Sequence, residues 1–357
     1  MQGLHHRRRC CFAPAVALFA CLLAPAHAAE LWLFAGQSNM DPRTQFAAAQ
    51  EAAGARGAQA RLATAQRDGQ AISYWAEGAA GWEAIRTAYA GLRPGEVPGA
   101  FAYYQGESDQ RLFRGYERQL RDLIARVRGT SGRPDLPVLL AQLGPRYFTT
   151  QKAGAGAWWN MGFIREIQRR VALDLPHVHL IAAIDCSLRD TNVHLDRAAH
   201  REVGRRMGLA LSGQPAGAIP ERAWRDPGDP RAVLLRCVRV SGSLRLDEGW
   251  RDGMRLVAAA ELPADFAAWP ADLQPEQVLP PDALLVPEAA EVVAPDRVRL
   301  RFAAPVGRQA RLNWAAQNGT NPLDVTDRGQ PGFRGLSDAT GIVAAAAALL
   351  PVLPDPP

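Results

Sequence analysis

Short apolar runs alternate with amphipathic helical segments between residues 30 and 213, and this alternation is the strongest constraint on the fold. Five apolar runs are predicted strands, at residues 31–35, 71–76, 100–104, 138–143 and 178–184. Helices are predicted between them at about residues 111–128, 163–171 and 198–211. Strands that alternate with helices form a parallel sheet with helices on both faces, so we expect an α/β fold.

The character of the sequence changes after residue 220, where prolines become frequent and the helical periodicity fades. Residues 233–240, 244–246 and 298–302 are predicted strands. We therefore expect three parts after the N-terminus: an α/β domain over 29–213, a smaller β-rich accessory domain over 221–340, and a tail of uncertain order over 341–357.

The first 28 residues have the layout of a secretory signal peptide. Residues 7–9 are arginines, residues 11–23 are apolar, and residues 26–28 have the small-x-small cleavage pattern. A lipoprotein signal that is cut before Cys21 is disfavoured because Phe19 is bulky. The other alternative is that these residues form a buried first strand or helix. We expect cleavage after Ala28 and a secreted or periplasmic protein.

Charge and cysteine usage exclude several classes of protein. The predicted signal contributes three of the formal +5 charges, and the other arginines are spread without an aromatic-rich basic patch, so a nucleic-acid partner is not expected. After residue 30 no apolar run is long enough to span a membrane. Cys186 and Cys237 could form a disulfide or remain buried thiols. With no CxxC and no paired-histidine spacing, no metal or other cofactor is expected.

Three polar segments follow predicted strands, at the sheet edge where open parallel sheets bind ligands. The first is GQSNM, residues 36–40, in which Ser38 on a tight turn could act as a nucleophile whose own N–H faces an oxyanion. The alternative is that Ser38 is an ordinary helix N-cap. The absence of a GxSxG motif disfavours an ordinary α/β-hydrolase.

The second and third segments supply polar partners for such a serine. QGESD, residues 105–109, offers the amide of Gln105 as a donor and Glu107 as an acceptor for an imidazole; the alternative is a polar turn that caps the next helix. In residues 190–196, His194 lies in a loop between a strand and a helix, which suits a general base. The other histidines after residue 28 lie at the start of a strand or inside a helix: His177, His179 and His200.

The three segments together resemble the SGNH/GDSL-type hydrolases, and more narrowly the carbohydrate esterases that include sialate O-acetylesterases and acetylxylan esterases. GQSNM and QGESD carry the resemblance, and VHL followed by a helix is a looser match. The resemblance implies a flavodoxin-like sheet sandwiched by helices, a catalytic domain over 29–213, and hydrolysis of acetyl esters on a glycan or sugar. Asn313-Trp314, Asn321-Pro322 and residues 331–334 are similar to the closing β segment of sialate O-acetylesterases.

The resemblance also implies a role for each matching residue. Ser38 matches the nucleophile and His194 the base. Oxyanion donors would be the N–H of Ser38, the N–H of Gly78 and the side chain of Gln105, with Gly81 as the alternative to Gly78.

The acid that orients His194 stays open between two carboxylates. The family often has Asp three residues before the histidine, but Thr191 stands there and Asp190 lies one residue further back. Some acetylxylan esterases suggest Glu107 instead, and we favour it because a strand holds it more firmly than a shifted loop would hold Asp190.

Two other functions are compatible with the sequence. A carbohydrate-binding protein could keep the fold without catalysis, which Thr191 and the short stretch between the first two segments would suit. A lipase or thioesterase of the wider SGNH group is the second alternative, although QGE in residues 105–107 argues against it. The sequence leaves the particular glycan and the oligomeric state open.

Overall fold

The structure is a computed structural model in which residues 29–56, 60–145, 157–189, 193–247, 250–257, 266–268, 284–314, 336–340, 342, 344–345 and 347–354 are described. The predicted signal over 1–28 lies outside these residues. So do Asp190 and Thr191, and so does most of the C-terminal segment that resembles sialate O-acetylesterases.

The first sheet has five parallel strands in the order β2-β1-β3-β4-β5. The strands are β1 (Ala29–Gly36), β2 (Ala60–Gln66), β3 (Glu96–Tyr104), β4 (Val138–Ala141) and β5 (Val178–Ile181). This is the flavodoxin-like order, with a crevice at the carboxyl ends of β1 and β3 where the strand order reverses. The predicted α/β class is confirmed.

Five helices flank this sheet: α1 (Pro42–Arg56), α2 (Ala80–Ala90), α3 (Phe113–Ser131), α4 (Ala157–Asp174) and α5 (Arg197–Leu211). Helix α1 packs against α5, and α3 packs against α4. The first pair is close because α5 carries glycines at the contact: a Cβ on Gly204 would lie 2.3 Å from the carbonyl oxygen of Thr44. The apolar stripe predicted for the helix at 111–128 is buried along α3.

The predicted strand at 71–76 is wrong, and the second strand is Ala60–Gln66. Residues Ile72–Trp75 form a 3₁₀ turn in which Ile72 and Trp75 are buried at a spacing of three. The indole nitrogen of Trp75 donates to the carbonyl of Ala65 at 2.9 Å. Strand β2 escaped prediction because it is an edge strand with one buried residue, so its sequence carries little apolar signal.

A second sheet of eight strands follows, in the order β10-β9-β13-β15-β6-β7-β12-β11. Its strands are β6 (Ile219–Arg225), β7 (Ala232–Val238), β9 (Met254–Val257), β10 (Leu284–Leu285), β11 (Ala289–Ala294), β12 (Arg297–Arg301), β13 (Arg311–Trp314) and β15 (Ala347–Leu353). A separate pair is formed by β8 (Arg245–Leu246) and β14 (Leu336–Ser337), and α6 (Trp250–Gly253) is a short helix.

The tail predicted over 341–357 is also wrong, because residues 347–353 form the interior strand β15. It pairs antiparallel with β13 and parallel with β6. Leu350 and Val352 are buried. The segment that suggested low order therefore contains a sheet strand in which Leu350 and Val352 are buried while Pro351 and Leu353 are exposed.

Helix α4 contacts the second sheet through the buried side chain of Arg169. Arg169 pairs with Glu166 at 2.6 Å and also donates to the carbonyl of Pro220, at the start of β6, at 2.6 Å. Cys186 lies in the apolar core of the first sheet and Cys237 in that of the second, and both are free, buried thiols whose pKa values are raised by burial. No helix among the described residues is long and apolar enough to cross a bilayer.

Removing residues 341–357 should unfold the second sheet. The deletion takes out β15, leaves β13 and β6 with unpaired edges, and loses the burial of Leu350 and Val352, which together are worth about 3 kcal/mol or more. Thermal unfolding and limited proteolysis should show an early transition and rapid cleavage after residue 219. A chain ending at Pro354 is the control, and a deletion variant as stable and protease-resistant as this control would contradict the role of β15.

Candidate active site

The GQSNM segment forms a tight turn where β1 ends. Gly36 has φ +138° and lies so close to β3 that a Cβ on it would be 2.1 Å from the carbonyl oxygen of Tyr104, so only glycine fits. The N–H of Gln37 donates to that carbonyl at 3.0 Å, and the N–H of Met40 donates to the carbonyl of Gln37 at 2.8 Å. This turn sets Ser38, half-buried, at the carboxyl edge of the sheet.

Ser38 is not the cap of the helix that follows. Helix α1 begins at Pro42, and the side chain of Asp41 accepts from the N–H of Arg43 at 2.8 Å. Asp41 therefore fills the N-cap role, which removes the ordinary structural explanation for a serine in this turn.

The QGESD segment turns equally sharply after β3. Gly106 has φ +144°, and a Cβ there would lie 2.6 Å from the side chain of Ile164. Glu107 follows, buried at 6% exposure, with Oε1 accepting from Nδ2 of Asn39 at 2.7 Å. Its other oxygen, Oε2, is buried without a hydrogen-bond partner among the described residues. Burial raises the pKa of Glu107, and the hydrogen bond from Asn39 and the charge of His194 partly oppose this rise.

His194 lies beside an antiparallel backbone bridge just before α5. Leu188 pairs with Leu195, and the N–H of Arg189 donates to the carbonyl of His194 at 2.9 Å. Asp196 then caps α5 by accepting from the first backbone N–H groups of the helix. His194 is half-buried, and the residues on either side of it are bonded to the GQSNM turn.

Asn39 links the three segments. Its Nδ2 donates to Glu107 and, at 2.9 Å, to the carbonyl of Val193, and its Oδ1 accepts from the N–H of Leu195 at 3.1 Å. The residue after the predicted nucleophile therefore contacts the carboxylate of Glu107 and the backbone on both sides of His194. The convergence expected from the sequence is present in the fold.

Gln105 does not have the geometry of an oxyanion donor. Its side chain is fully buried, its Nε2 donates to the carbonyl of Gln70 at 3.0 Å and to Oδ2 of Asp109, and its Oε1 accepts from Tyr103. Both amide hydrogens are therefore used inside the protein. Asp109 also accepts from the N–H of Ile72 at 2.8 Å, and burial raises the pKa of Asp109. The pair Gln105–Asp109 holds the segment 70–72 in place.

Gly78 and Gly81 also differ from the expectation. Gly78 is exposed in the turn before α2, with φ +78°, and no atom lies within 4 Å of the position that a Cβ on it would take. Gly81 lies in the first turn of α2, where a Cβ would meet the ring of Tyr74 at 2.5 Å, so its role is packing.

The segment that reaches the GQSNM turn is instead the loop 67–71, directly after β2. The N–H of Arg67 donates to the carbonyl of Gly36 at 2.9 Å, and Gly69 in the same loop has φ +67°. This loop escaped prediction because the second strand was expected at 71–76, beyond the true strand. A glycine shortly after the true strand was the signal that could have found it.

The remaining histidines have structural settings. His200, inside α5, contacts the hydroxyl of Thr44 at 3.1 Å, which ties α5 to α1. His179 lies in β5, and burial lowers its pKa to about 4. Across the described residues, no group of three His, Cys, Asp or Glu side chains is arranged to hold a metal ion.

Comparisons with known proteins agree with this architecture. Residues 41–212 match the family model of the carbohydrate esterases described as sialic acid-specific acetylesterases. A carbohydrate acetylesterase from Xanthomonas citri has a similar structure, with a TM-score of 0.61 and 18% identity over 88% of this chain and 79% of that one. A carbohydrate acetylesterase from Sinorhizobium meliloti aligns at a TM-score of 0.40 and 15% identity, over 52% of this chain and 99% of that one. No curated protein matches the chain.

The five-stranded sheet and the polar segments at its edge agree with the fold of SGNH-type esterases. The family match covers residues 41–212, which is most of the α/β domain, and supports a carbohydrate esterase of the SGNH type.

Replacing Glu107 by Gln should stabilise the fold, and more so at neutral than at acidic pH. The raised pKa of Glu107 means that the folded state binds this proton more tightly than the unfolded state does. The free energy of unfolding therefore falls as pH rises from the pKa of Glu107 in the unfolded chain to its pKa in the folded protein. Above the folded pKa it falls no further on account of this group. Gln does not ionise, so the increase in Tm over the wild type should grow between about pH 4 and about pH 7.

Thermal unfolding across this pH range checks the expectation. Glu83→Gln, at an exposed position of α2, is the control. A Tm difference for Glu107→Gln that stays constant with pH, or that follows the control, would show that burial of the charged carboxylate does not cost stability.

Proposed function

We propose that this protein hydrolyses O-acetyl esters of carbohydrates through an acetyl-enzyme on Ser38, with His194 as the base and Glu107 as the acid. The observation that carries the proposal is the side chain of Asn39, which bonds Glu107 and both backbone neighbours of His194 directly beside Ser38. The family match of residues 41–212 supports a carbohydrate ester as substrate. The signal-like pattern of residues 1–28 supports a secreted or periplasmic location.

The proposed reaction has two acyl-transfer steps. Oγ of Ser38 attacks the acetyl carbonyl while His194 takes its proton, and the tetrahedral intermediate collapses as His194 returns that proton to the leaving sugar oxygen. Water, activated by His194, then attacks the acetyl-serine and releases acetate. Glu107 stabilises the imidazolium formed in each step, and its burial strengthens this interaction because little water screens it.

Two backbone N–H groups are proposed as oxyanion donors. One is that of Ser38, as the sequence suggested, and the other comes from the loop 67–71, near Gly69. This loop donates a backbone hydrogen bond to Gly36. Gln105 bonds the carbonyl of Gln70 in the loop, and Asp109 accepts from the N–H of Ile72 just after it. Backbone donors fixed in this way suit an oxyanion because they need no reorganisation during the reaction.

Replacing Ser38 by Ala should abolish acetate release, with a loss of about a thousandfold or more in kcat. Acetate release from p-nitrophenyl acetate and from a panel of acetylated sialic acids, xylans and other glycans measures this. Ser108→Ala is the matched control, since Ser108 lies at the same edge but contributes its backbone N–H, which the substitution keeps.

The same assay separates the competing functions. Unchanged turnover in Ser38→Ala would eliminate the proposed nucleophile. A wild-type protein that binds glycans, releases no acetate and is not labelled at Ser38 by a fluorophosphonate would be the non-catalytic binding protein. A preference for long acyl chains over acetyl would instead indicate a lipase or thioesterase.

Gly69→Ala should reduce kcat by about tenfold or more, whereas Gly78→Ala should leave it near the wild-type value. The two glycines form a matched pair: both have positive φ, +67° and +78°, and neither has atoms within 4 Å of the position that a Cβ would take. The backbone cost, about 1–2 kcal/mol, is therefore similar. The expected difference in kcat comes from the position of each glycine, because only Gly69 lies in the loop that reaches the GQSNM turn. Loss of activity in Gly78→Ala alone would return the oxyanion role to Gly78.

Glu107→Gln should lower kcat/KM more than Asp190→Asn does. Glu107 is anchored by Asn39, whereas Asp190 lies outside the described residues and stays the alternative acid. Parallel measurement of kcat/KM for both variants on one acetylated sugar decides between them. The reverse ranking would transfer the role to Asp190.

A further inference from the structure

Both polar atoms of the Asn39 side chain are hydrogen-bonded, one to Glu107 and both to the backbone of the residues on either side of His194. The residue is 1% exposed, its two N–H hydrogens go to Glu107 and to the carbonyl of Val193, and its oxygen accepts from the N–H of Leu195. Glu107 is 68 positions away in sequence and Leu195 is 156 positions away. One amide therefore bridges two distant chain segments.

This arrangement is specific to asparagine. Aspartate has no N–H to donate and would face the carboxylate of Glu107 with a second negative charge. Glutamine is one methylene longer, in a turn that is closed by the hydrogen bond from Met40 to Gln37. Alanine would leave the carboxylate, a carbonyl and a backbone N–H buried without this partner, which costs free energy for each group.

We propose that Asn39 is a positioning residue, which holds the carboxylate of Glu107 and the backbone on both sides of His194 in the arrangement that activates Ser38. The inference rests on the proposed Ser38–His194–Glu107 mechanism and adds to it the group that sets its geometry. Asn39 acts through Glu107 and His194 and not by contact with the substrate.

The electrostatics of the site give this role a signature in the pH profile. The hydrogen bond from Asn39 lowers the pKa of Glu107 against the burial that raises it. His194 also lowers it, and Asp109 raises it. The charge of Glu107 in turn acts on three buried phenols: Tyr103, Tyr104 and Tyr116. Removing the donor at position 39 should make the carboxylate of Glu107 harder to ionise. As pH falls, the coupled acid–base pair should therefore lose its active form at a higher pH than in the wild type.

The test compares Asn39→Ala and Asn39→Asp with Gln45→Ala. Gln45 is a matched control because it is a buried amide in the same part of the chain, and its hydrogen bonds go to Met40 and Thr64 rather than to Glu107 or the His194 loop. Both Asn39 variants should lose about 10- to 100-fold in kcat with KM little changed, the range typical of groups that orient catalytic or ligating residues. The acidic limb of kcat/KM should move to higher pH in Asn39→Ala and stay in place in Gln45→Ala.

The double variant Asn39→Asp with Glu107→Gln separates positioning from folding. It reverses the polarity of the hydrogen bond, because the new amide at position 107 donates to the new carboxylate at position 39. Glu107→Gln should raise the Tm more in the Asn39→Asp background than in the wild type, while activity should not recover, since the carboxylate at 107 is gone. This comparison remains informative if Asn39→Asp alone fails to fold.

Wild-type kcat and an unmoved acidic limb in folded Asn39→Ala would overturn the inference. So would an equal shift of the limb in Gln45→Ala, or a Tm gain from Glu107→Gln that is no larger in the Asn39→Asp background than in the wild type. Each of these results, with Ser38→Ala inactive, leaves the proposed function intact. An active Ser38→Ala would instead remove the proposed function itself.

Discussion

The close approach of β1 to β3 is the constraint on which the site depends. A Cβ at Gly36 would lie 2.1 Å from the carbonyl of Tyr104, so the two strand ends can meet only because this residue is glycine. Their meeting brings the turn that carries Ser38 and the turn that carries Glu107 to one edge. Because the sheet order reverses at this pair of strands, the same edge is also the crevice that a flavodoxin-like fold offers to ligands.

The polar groups at this edge are buried at a cost that the apolar core must offset. Glu107 keeps one oxygen without a hydrogen-bond partner among the described residues, and its pKa is raised by burial. A chain selected for stability alone would place an apolar or neutral side chain there, because an under-partnered buried carboxylate is unfavourable. Such a group is retained where its charge has a function, as it does for an acid beside a catalytic imidazole.

The sequence predicted what depends on strong local patterns. The α/β class follows from the alternation of buried strands and amphipathic helices, and the convergence of Ser38, Glu107 and His194 follows from the rule that parallel strands end at one edge. Prediction failed where the pattern was weak or the partner was distant. Edge strand β2 has one buried residue, and β15 is buried only through pairing with β13 and β6, which are far away in sequence.

The role expected for Gln105 failed for a related reason. Residue type alone suggested an oxyanion donor, but which groups receive its amide hydrogens depends on Gln70 and Asp109, brought together by the tertiary fold. The sequence indicated Asn39, by contrast, only as part of the GQSNM motif. Its bonds to Glu107 and to the backbone beside His194 span most of the α/β domain, so no local pattern could have indicated them.

Helix α4 connects this edge to the second sheet. Gln168 donates to the carbonyl of Gln105 and accepts from the N–H of Leu143, so it joins the ends of β3 and β4. One residue later, the buried Arg169 donates to the carbonyl of Pro220, where β6 begins. A shift of the second sheet would therefore act on the same turn of helix that supports the QGESD segment. Buried polar contacts of two consecutive residues of α4 therefore link the QGESD segment to the start of the second sheet.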